Sequence, residues 1–586
     1  MQGQAELCEN RKYGHACGVK SSRSILGNDY NSPPLYAIAK LELFPDSTYT
    51  TYLLPMMPTQ PLQSVSSSSK FTRLFSPSAE NIAPLVILLL LLHLVLWSVF
   101  TGISHRAPDW DNMEELVWAS GLEWGYYKHP PLPSWILYGL VAIFGRPVWL
   151  TFFTGQLSVI LSLWLVWKLG CEMTTQRRAL IATLLVSLVA YFTVRGVMNN
   201  HNTMQLWSVA GAIWMFHRAT RTDNMRAWAM LGIFCGCAFL TKYSALIQFT
   251  AFFLYLLLSG HLRRAQTWKG IALATAILVA MAMPHLLWLK QQAAGPIAYA
   301  GSEMVPQATY WLELQELFSF ALTNLGRIAV LILALLIIAV WAARQYKLTP
   351  KSARPPKIAS QLAASDRFFI LFIGLAPLAL TMLVAGAMKI PLAAHWATTF
   401  FILFGFFSFW FLRSADDAAL LRKTVIVVVI MQVLGAAGYG LARGPLADKS
   451  GRPSRATFPG AEVSRQVHAT WQAQMQTPLT LVASDTWLGG NIATHIGPQV
   501  QVLIDGDFGK SPWINEEKAE KCGMLVAINR SKINPDQIDN EVIALMAQTT
   551  QHGTLEIPWT KKAGGPQVVV EWGIIPPRAD CKAVAP

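Results

Sequence analysis

Long apolar runs constrain this chain before anything else. Residues 84–103 read PLVILLLLLHLVLWSVFTGI, without one Asp, Glu, Lys or Arg. That is about the twenty apolar residues a helix needs to cross a bilayer. Similar runs follow at 147–168, 179–194, 203–217, 227–241, 243–259, 270–289, 327–343, 367–388, 393–412 and 423–441. The pattern predicts a polytopic α-helical membrane protein with about eleven transmembrane helices. Only 14% of the residues are charged, where soluble proteins carry roughly a quarter.

Lys and Arg concentrate in alternate loops. Lys168, Arg177 and Arg178, then Arg218, Arg221 and Arg226, then Arg263, Arg264 and Lys269 mark one side, as do Arg344, Lys347, Lys351, Arg354, Lys357 and Arg367, and finally Arg413, Arg422 and Lys423. By the positive-inside rule these loops are cytoplasmic. An odd number of spans then puts the C-terminal region outside, in the periplasm of a bacterial inner membrane. The net charge of +14 is a topology signal. No basic stripe with interleaved aromatics points to nucleic acid.

Three regions follow. Residues 1–80 lack periodicity and contain the Ser66–Ser69 run. They read as a disordered tail or as an over-extended start ahead of Met56 or Met57, and not as a secretory signal. Residues 81–443 form the transmembrane domain. Residues 444–586 form a small extracytoplasmic α/β domain. Its strands are expected at Leu479–Ser484, Gln501–Ile504, Met524–Ile528 and Val568–Trp572, with helices near Trp487–His495, Glu516–Lys521 and Asn540–Gln548. Cys522 and Cys581 are the two cysteines of this domain. An oxidising compartment predicts a disulfide between them.

The outer ends of the helices collect the residues fit for chemistry. Asp109, Asp111, Glu114 and Glu115 follow the first span; Arg195, Asn199, Asn200, His201 and Asn202 lie between the third and fourth. Lys242-Tyr243, Pro284-His285, Lys389 and His395-Trp396 share that side. Carboxylates meeting isolated cations at one depth suggest a site for an anionic head group. Each element also has a structural reading. Asp111-x-x-Glu114 matches a capping box for a helix running to Ser120. Arg195, Lys242 and Lys389 suit snorkelling to the interface. The histidines suit interfacial hydrogen bonding, and no His-x-x-x-His or Cys-x-x-Cys pair suggests zinc.

Leu122-Glu123-Trp124-Gly125-Tyr126-Tyr127-Lys128-His129-Pro130-Pro131-Leu132, preceded by Asp111-Asn112, resembles the first outer loop of bacterial GT-C glycosyltransferases. The resemblance is to the protein mannosyltransferase-like group, which includes the lipid A aminoarabinose transferases. Asn199-x-x-Asn202-Thr203, Leu240-Thr241-Lys242-Tyr243 and Pro284-His285 are similar to later blocks of the group. The resemblance spans roughly residues 84–400. It implies a polyprenyl-phosphate-linked sugar donor, transfer on the extracytoplasmic side and Asp111 as base. Two positions depart from the pattern. Asn112 stands where the group commonly has Glu, and Asn202 where many members have Asp.

The chemistry needs few parts. A sugar phosphate already carries a good leaving group, so one carboxylate can take the acceptor's proton in a single inverting displacement. Cations then stabilise the leaving phosphate. Asp111, with Asp109 and Glu115 in support, is the expected catalytic set. Lys242, Arg195, Lys389, His129, Tyr126, Asn202 and His285 are the expected substrate-binding set. These residues specify no particular cofactor, and a divalent cation is compatible with the carboxylate loop. The partners are the lipid-linked sugar, an extracytoplasmic acceptor and the bilayer. The competing reading is a transporter or flippase of lipid-linked sugars, which inverted repeats and mid-membrane ionisable groups would favour.

Overall fold

A computed structural model describes residues 82–292, 295–304, 306, 309–346, 350, 352, 354–531, 539–578 and 581. The expectations for the N-terminal tail fall outside these residues. Among the described residues, five helices are long and apolar enough to cross a membrane: Ala83–Ser104, Val148–Met173, Ala265–Lys290, Ala364–Met388 and Asp417–Ser450, the last including a short continuation. The pair Tyr310–Arg327 and Ala329–Arg344, bent by 46°, makes a sixth if taken together. Leu88, Leu91, Val95 and Ile103 on the first of these helices are exposed, as lipid-facing side chains would be.

The other runs predicted as spans are shorter or irregular. Residues 179–194 form the Gln176–Val186 helix and a 3-10 turn at Ala190–Phe192. Residues 203–217 divide between His201–Met204 and Leu206–Thr222. Met225–Thr241 and Ala245–Leu258 are apolar but under 18 residues. Residues 393–412 wind as 3-10 helices at Ala394–Phe401 and Phe404–Trp410. Apolarity alone does not distinguish these cases. The Thr and aromatic residues of 394–410 have little intrinsic preference for the α-helix, and this segment packs against Gln176–Val186. Several helices fall outside the expected runs, among them Tyr310–Arg327, Gly460–Gln474 and Leu132–Phe144. Leu132–Phe144 starts at the Pro-Pro-Leu of the outer loop, with proline inside its first turn, where a missing N–H costs nothing.

The C-terminal region holds a five-stranded sheet in the order β2-β1-β3-β5-β4, with β1 Leu481–Ser484, β2 Gln501–Ile504, β3 Met524–Asn529, β4 Gln551–Pro558 and β5 Gln567–Ile575. β1 runs parallel to β2 and β3, whereas β5 is antiparallel to β3 and β4. β1 and β3 are buried throughout, as parallel strands covered on both faces must be. One face packs on Ala519 and Val542. The other continues into the outer loop: Trp487 and Ile492 share a core with Met113, Val117, Trp118 and Tyr126. A Cβ at Gly490 would lie 2.5 Å from Met113 Cγ, so only glycine lets the Thr486–Ile496 helix approach this closely. Trp487 Nε1 donates to Pro108 O at 3.1 Å. Sheet and outer loop thus form one rigid support. Cys522 and Cys581 are disulfide-bonded, with Cα atoms 4.9 Å apart.

Candidate active site

The carboxylate loop becomes the short helix Trp110–Trp118. The expected capping box is not its start. Asp109 occupies the N-cap without a side-chain cap bond and pairs instead with Arg443 at 3.3 Å. Asp111 therefore sits inside the first turn. The loop after this helix is fixed by its aromatic residues. Trp118 stacks on Tyr126 with centroids 5.0 Å apart, and Tyr126 donates to Gly121 O at 2.7 Å. A Cβ at Gly125 would sit 2.2 Å from the Trp288 ring, which explains the glycine of Trp-Gly-Tyr.

These supports bring Asp111, Glu114, Glu115, Lys128, His129, Asn200, His201, Asn202, Lys242 and Tyr243 to the wall of one cavity of about 510 Å³. Ile247, Leu380, Val384, Leu392 and Phe400 give the same cavity an apolar part of its lining. Asp111 Oδ2 accepts from Asn200 Nδ2 at 2.8 Å. Asn200 Oδ1 caps the next helix by accepting from the N–H groups of Asn202 and Thr203. Lys242 Nζ donates to Asn202 Oδ1 at 2.6 Å. One capped helix end thus spaces the carboxylate from the cation. Burial lowers the Lys242 ammonium to about 8, against the pull of Asp111.

A second ion pair lines the same wall. Lys128 lies 2.7 Å from Glu114 Oε1. Burial works against the Lys128 charge, and Glu114 with Tyr127 outweighs it, so the ammonium is held above its usual range. Glu115 is buried; Ser134 Oγ donates to its Oε2 at 2.7 Å, and His201 Nδ1 lies 2.9 Å from Oε1. His129, 4.1 Å from the His201 ring, is pushed well below the usual histidine range by burial and by the neighbouring His201 and Lys242. At neutral pH it is an uncharged hydrogen-bonding group.

Of the expected residues, Asp111, Glu115, Lys242, His129 and Asn202 line the cavity, and Asp109, Arg195, Lys389, Tyr126 and His285 do not. Arg195 turns toward Met198 Sδ at 3.3 Å. Lys389 lies over the Tyr310 ring at 4.0 Å. Tyr126 is buried in the loop. His285 bonds Trp124 O at 2.6 Å and Tyr243 at 2.8 Å. The carbonyl can only accept, so His285 Nδ1 carries the proton and Nε2 accepts from the Tyr243 hydroxyl. His285 therefore orients a cavity residue from behind. Asn112 also points away: its Nδ2 donates to Thr151 Oγ1 at 3.0 Å and to Val197 O at 3.2 Å. Lys128 and Glu114 were absent from the expected set, because they are fourteen positions apart and only the folded loop joins them. Among the described residues, no group of three or more His, Cys, Asp or Glu side chains is placed to hold a metal ion.

The chain is similar to known proteins over much of its length. The family described as dolichyl-phosphate-mannose-protein mannosyltransferase matches residues 128–288. The lipopolysaccharide core galacturonosyltransferase RgtA of Rhizobium johnstonii is 25% identical over 80% of this chain and 93% of its own length. RgtB of the same organism is 24% identical over 78% of this chain and 90% of its own length. The crystal structure of ArnT from Cupriavidus metallidurans bound to undecaprenyl phosphate superposes with a TM-score of 0.57 at 12% identity, covering 86% of this chain and 99% of that one. The fold, the outer-loop motif and these relatives together support a membrane glycosyltransferase of the GT-C type, similar to the protein mannosyltransferase and aminoarabinose transferase group.

Proposed function

We propose that this protein transfers a sugar from a polyprenyl-phosphate donor to an acceptor on the extracytoplasmic face of a bacterial inner membrane. The observation that carries this reading is the mixed lining of the cavity. A lipid-linked sugar phosphate needs apolar surface for its tail and charged groups for its head, and the cavity wall offers both. The relatives support the donor class, since one is named as an undecaprenyl phosphate-alpha-4-amino-4-deoxy-L-arabinose arabinosyl transferase of Proteus mirabilis.

In the mechanism, Asp111 takes the acceptor hydroxyl proton as that oxygen attacks the anomeric carbon. The bond to the phosphate oxygen breaks on the opposite face, with inversion. Lys242 stabilises the departing phosphate, and Asn202 fixes its ammonium. Lys128 is a second cation on the same wall, partly neutralised by Glu114. Glu115 braces His201 beneath the site. The loop charge pattern and the Cys522–Cys581 disulfide support an extracytoplasmic position for residues 444–586.

The test is mass analysis of envelope glycolipids and glycans from cells with and without the gene, together with the purified protein and an undecaprenyl-phosphate sugar. The expected result is one sugar missing from an envelope acceptor, and transfer to it in vitro. A purified protein that moves lipid-linked sugar across vesicles without transferring it would establish the transporter reading instead.

A further inference from the structure

We propose that a second, cationic cavity binds the phosphate-bearing headgroup of an anionic membrane lipid. This cavity, also about 510 Å³, lies between the end of the Ala83–Ser104 helix, the Pro445–Ser450 helix and the turn joining β4 to β5. It shares no lining residue with the candidate active site.

Its wall carries Arg106, Lys449, Lys561 and Lys562 against a single carboxylate, Asp448. That carboxylate is already engaged. Its Oδ2 lies 2.6 Å from the Arg106 guanidinium, and its Oδ1 accepts the Lys561 backbone N–H at 3.0 Å. Asp448 therefore organises the site and leaves the lysines uncompensated. Lys562 Nζ reaches only a backbone carbonyl, Ser450 O, at 3.4 Å. Lys449 and Lys561 are exposed, and among the described residues neither forms a salt bridge. Three cations converging without a counter-charge suit a phosphate group.

The surroundings favour a lipid over a soluble anion. Ala83–Ser104 and Asp417–Ser450, of which Pro445–Ser450 is the last part, both end at the cavity and are apolar enough to cross a membrane, so the lysines sit at the level of headgroups. Ile103 on the cavity wall is an exposed apolar side chain, as are Leu441 and Leu446, which flank the lining residues Gly444 and Pro445 in the sequence. A free phosphate has no use for such side chains, whereas acyl chains would cover them. Lysines clustered beside a span attract anionic headgroups for the same reason.

The test uses the full-length protein and the combined variant Lys449→Gln, Lys561→Gln, Lys562→Gln, which leaves the Arg106–Asp448 pair intact. Native mass spectrometry in detergent measures retention of phosphatidylglycerol against phosphatidylcholine. The wild type should prefer phosphatidylglycerol, and the variant should lose that preference roughly tenfold or more, the scale of removing two or three interfacial cations. Circular dichroism should show the same helix content in both. Equal retention by the variant would overturn the proposal. Displacement of the lipid by millimolar inorganic phosphate would also overturn it, by showing a soluble-anion site.

Discussion

Replacing Asp111 by Asn separates a catalytic carboxylate from a structural one. The side chain lies in the first turn of the Trp110–Trp118 helix, with no capping bond of its own to lose. Asparagine keeps an oxygen for Asn200 Nδ2, which now donates to Asp111 at 2.8 Å. The structural cost is then the lost charge at a helix N-terminus, about 0.3–1 kcal/mol. The catalytic cost is that of a missing general base, a hundredfold or more, or about 2.7 kcal/mol at the barrier. The assay is turnover of an undecaprenyl-phosphate sugar by purified protein, with a thermal melt alongside. Asp109→Asn is the natural contrast. It breaks only the partly exposed pair with Arg443, worth about 0–1 kcal/mol, and should change turnover by a few-fold at most. Near-normal turnover by Asp111→Asn would refute the reasoning and move the base elsewhere on the cavity wall.

Donor affinity should fall as pH rises through about 8, because Lys242 is a cation below that value and neutral above it; KM for the donor against pH checks this, and Lys242→Met should remove the transition. Asn202→Asp should weaken donor binding at neutral pH, since a carboxylate at the present 2.6 Å acceptor position would neutralise the ammonium, and a KM that does not rise would count against Lys242 as the phosphate ligand. Cys522→Ser should destabilise the C-terminal region by about 4 kcal/mol in the chain-entropy model, given the 59-residue separation, as read by denaturant unfolding. Gly490→Ala should cost about 1–3 kcal/mol from overpacking, because its Cβ would meet Met113 and Val117, and the melt should report it.

Much of the C-terminal region was legible because its apolar runs are short and bounded. β2 falls at Gln501–Ile504 as expected, and β1 and β3 within two residues. β4, Gln551–Pro558, was not expected. It is an edge strand carrying Gly553 and Pro558; its burial alternates, but Leu555 and Ile557 are the only large apolar residues on its inward side, too short an alternation to mark a strand. The Gly460–Gln474 helix did leave a signal. Val463, Val467 and Trp471 recur at intervals of four and are buried, though the helix is polar overall. Among the membrane segments, apolarity marked where chain enters the helical bundle without distinguishing a straight span from a short or 3-10 segment. The site residues were legible in depth but not in direction. Lys242 and Arg195 both belong to outer turns, yet only Lys242 faces the cavity. Rotation about a helix end is set by packing, and a loop's sequence does not encode it.

The two departures from the group's motif acquire opposite meanings in three dimensions. Asn112 is fully buried and bonded to Thr151 and Val197. A carboxylate there would face helix packing rather than substrate, so Asn112 subtracts nothing from the cavity. The acidic partners of Asp111 come instead from one turn later, as Glu114 and Glu115. Asn202, in contrast, is on the cavity wall and touches the cation directly. An amide oxygen holds Lys242 in place without cancelling its charge, whereas a carboxylate would do both. The exchange of Asp for Asn at this position therefore leaves a positioned ammonium whose nearest carboxylate influence is Asp111. That arrangement suits the proposed departure of a phosphate, with Asp111, the proposed base, and the cation spaced by the capped turn at Asn200.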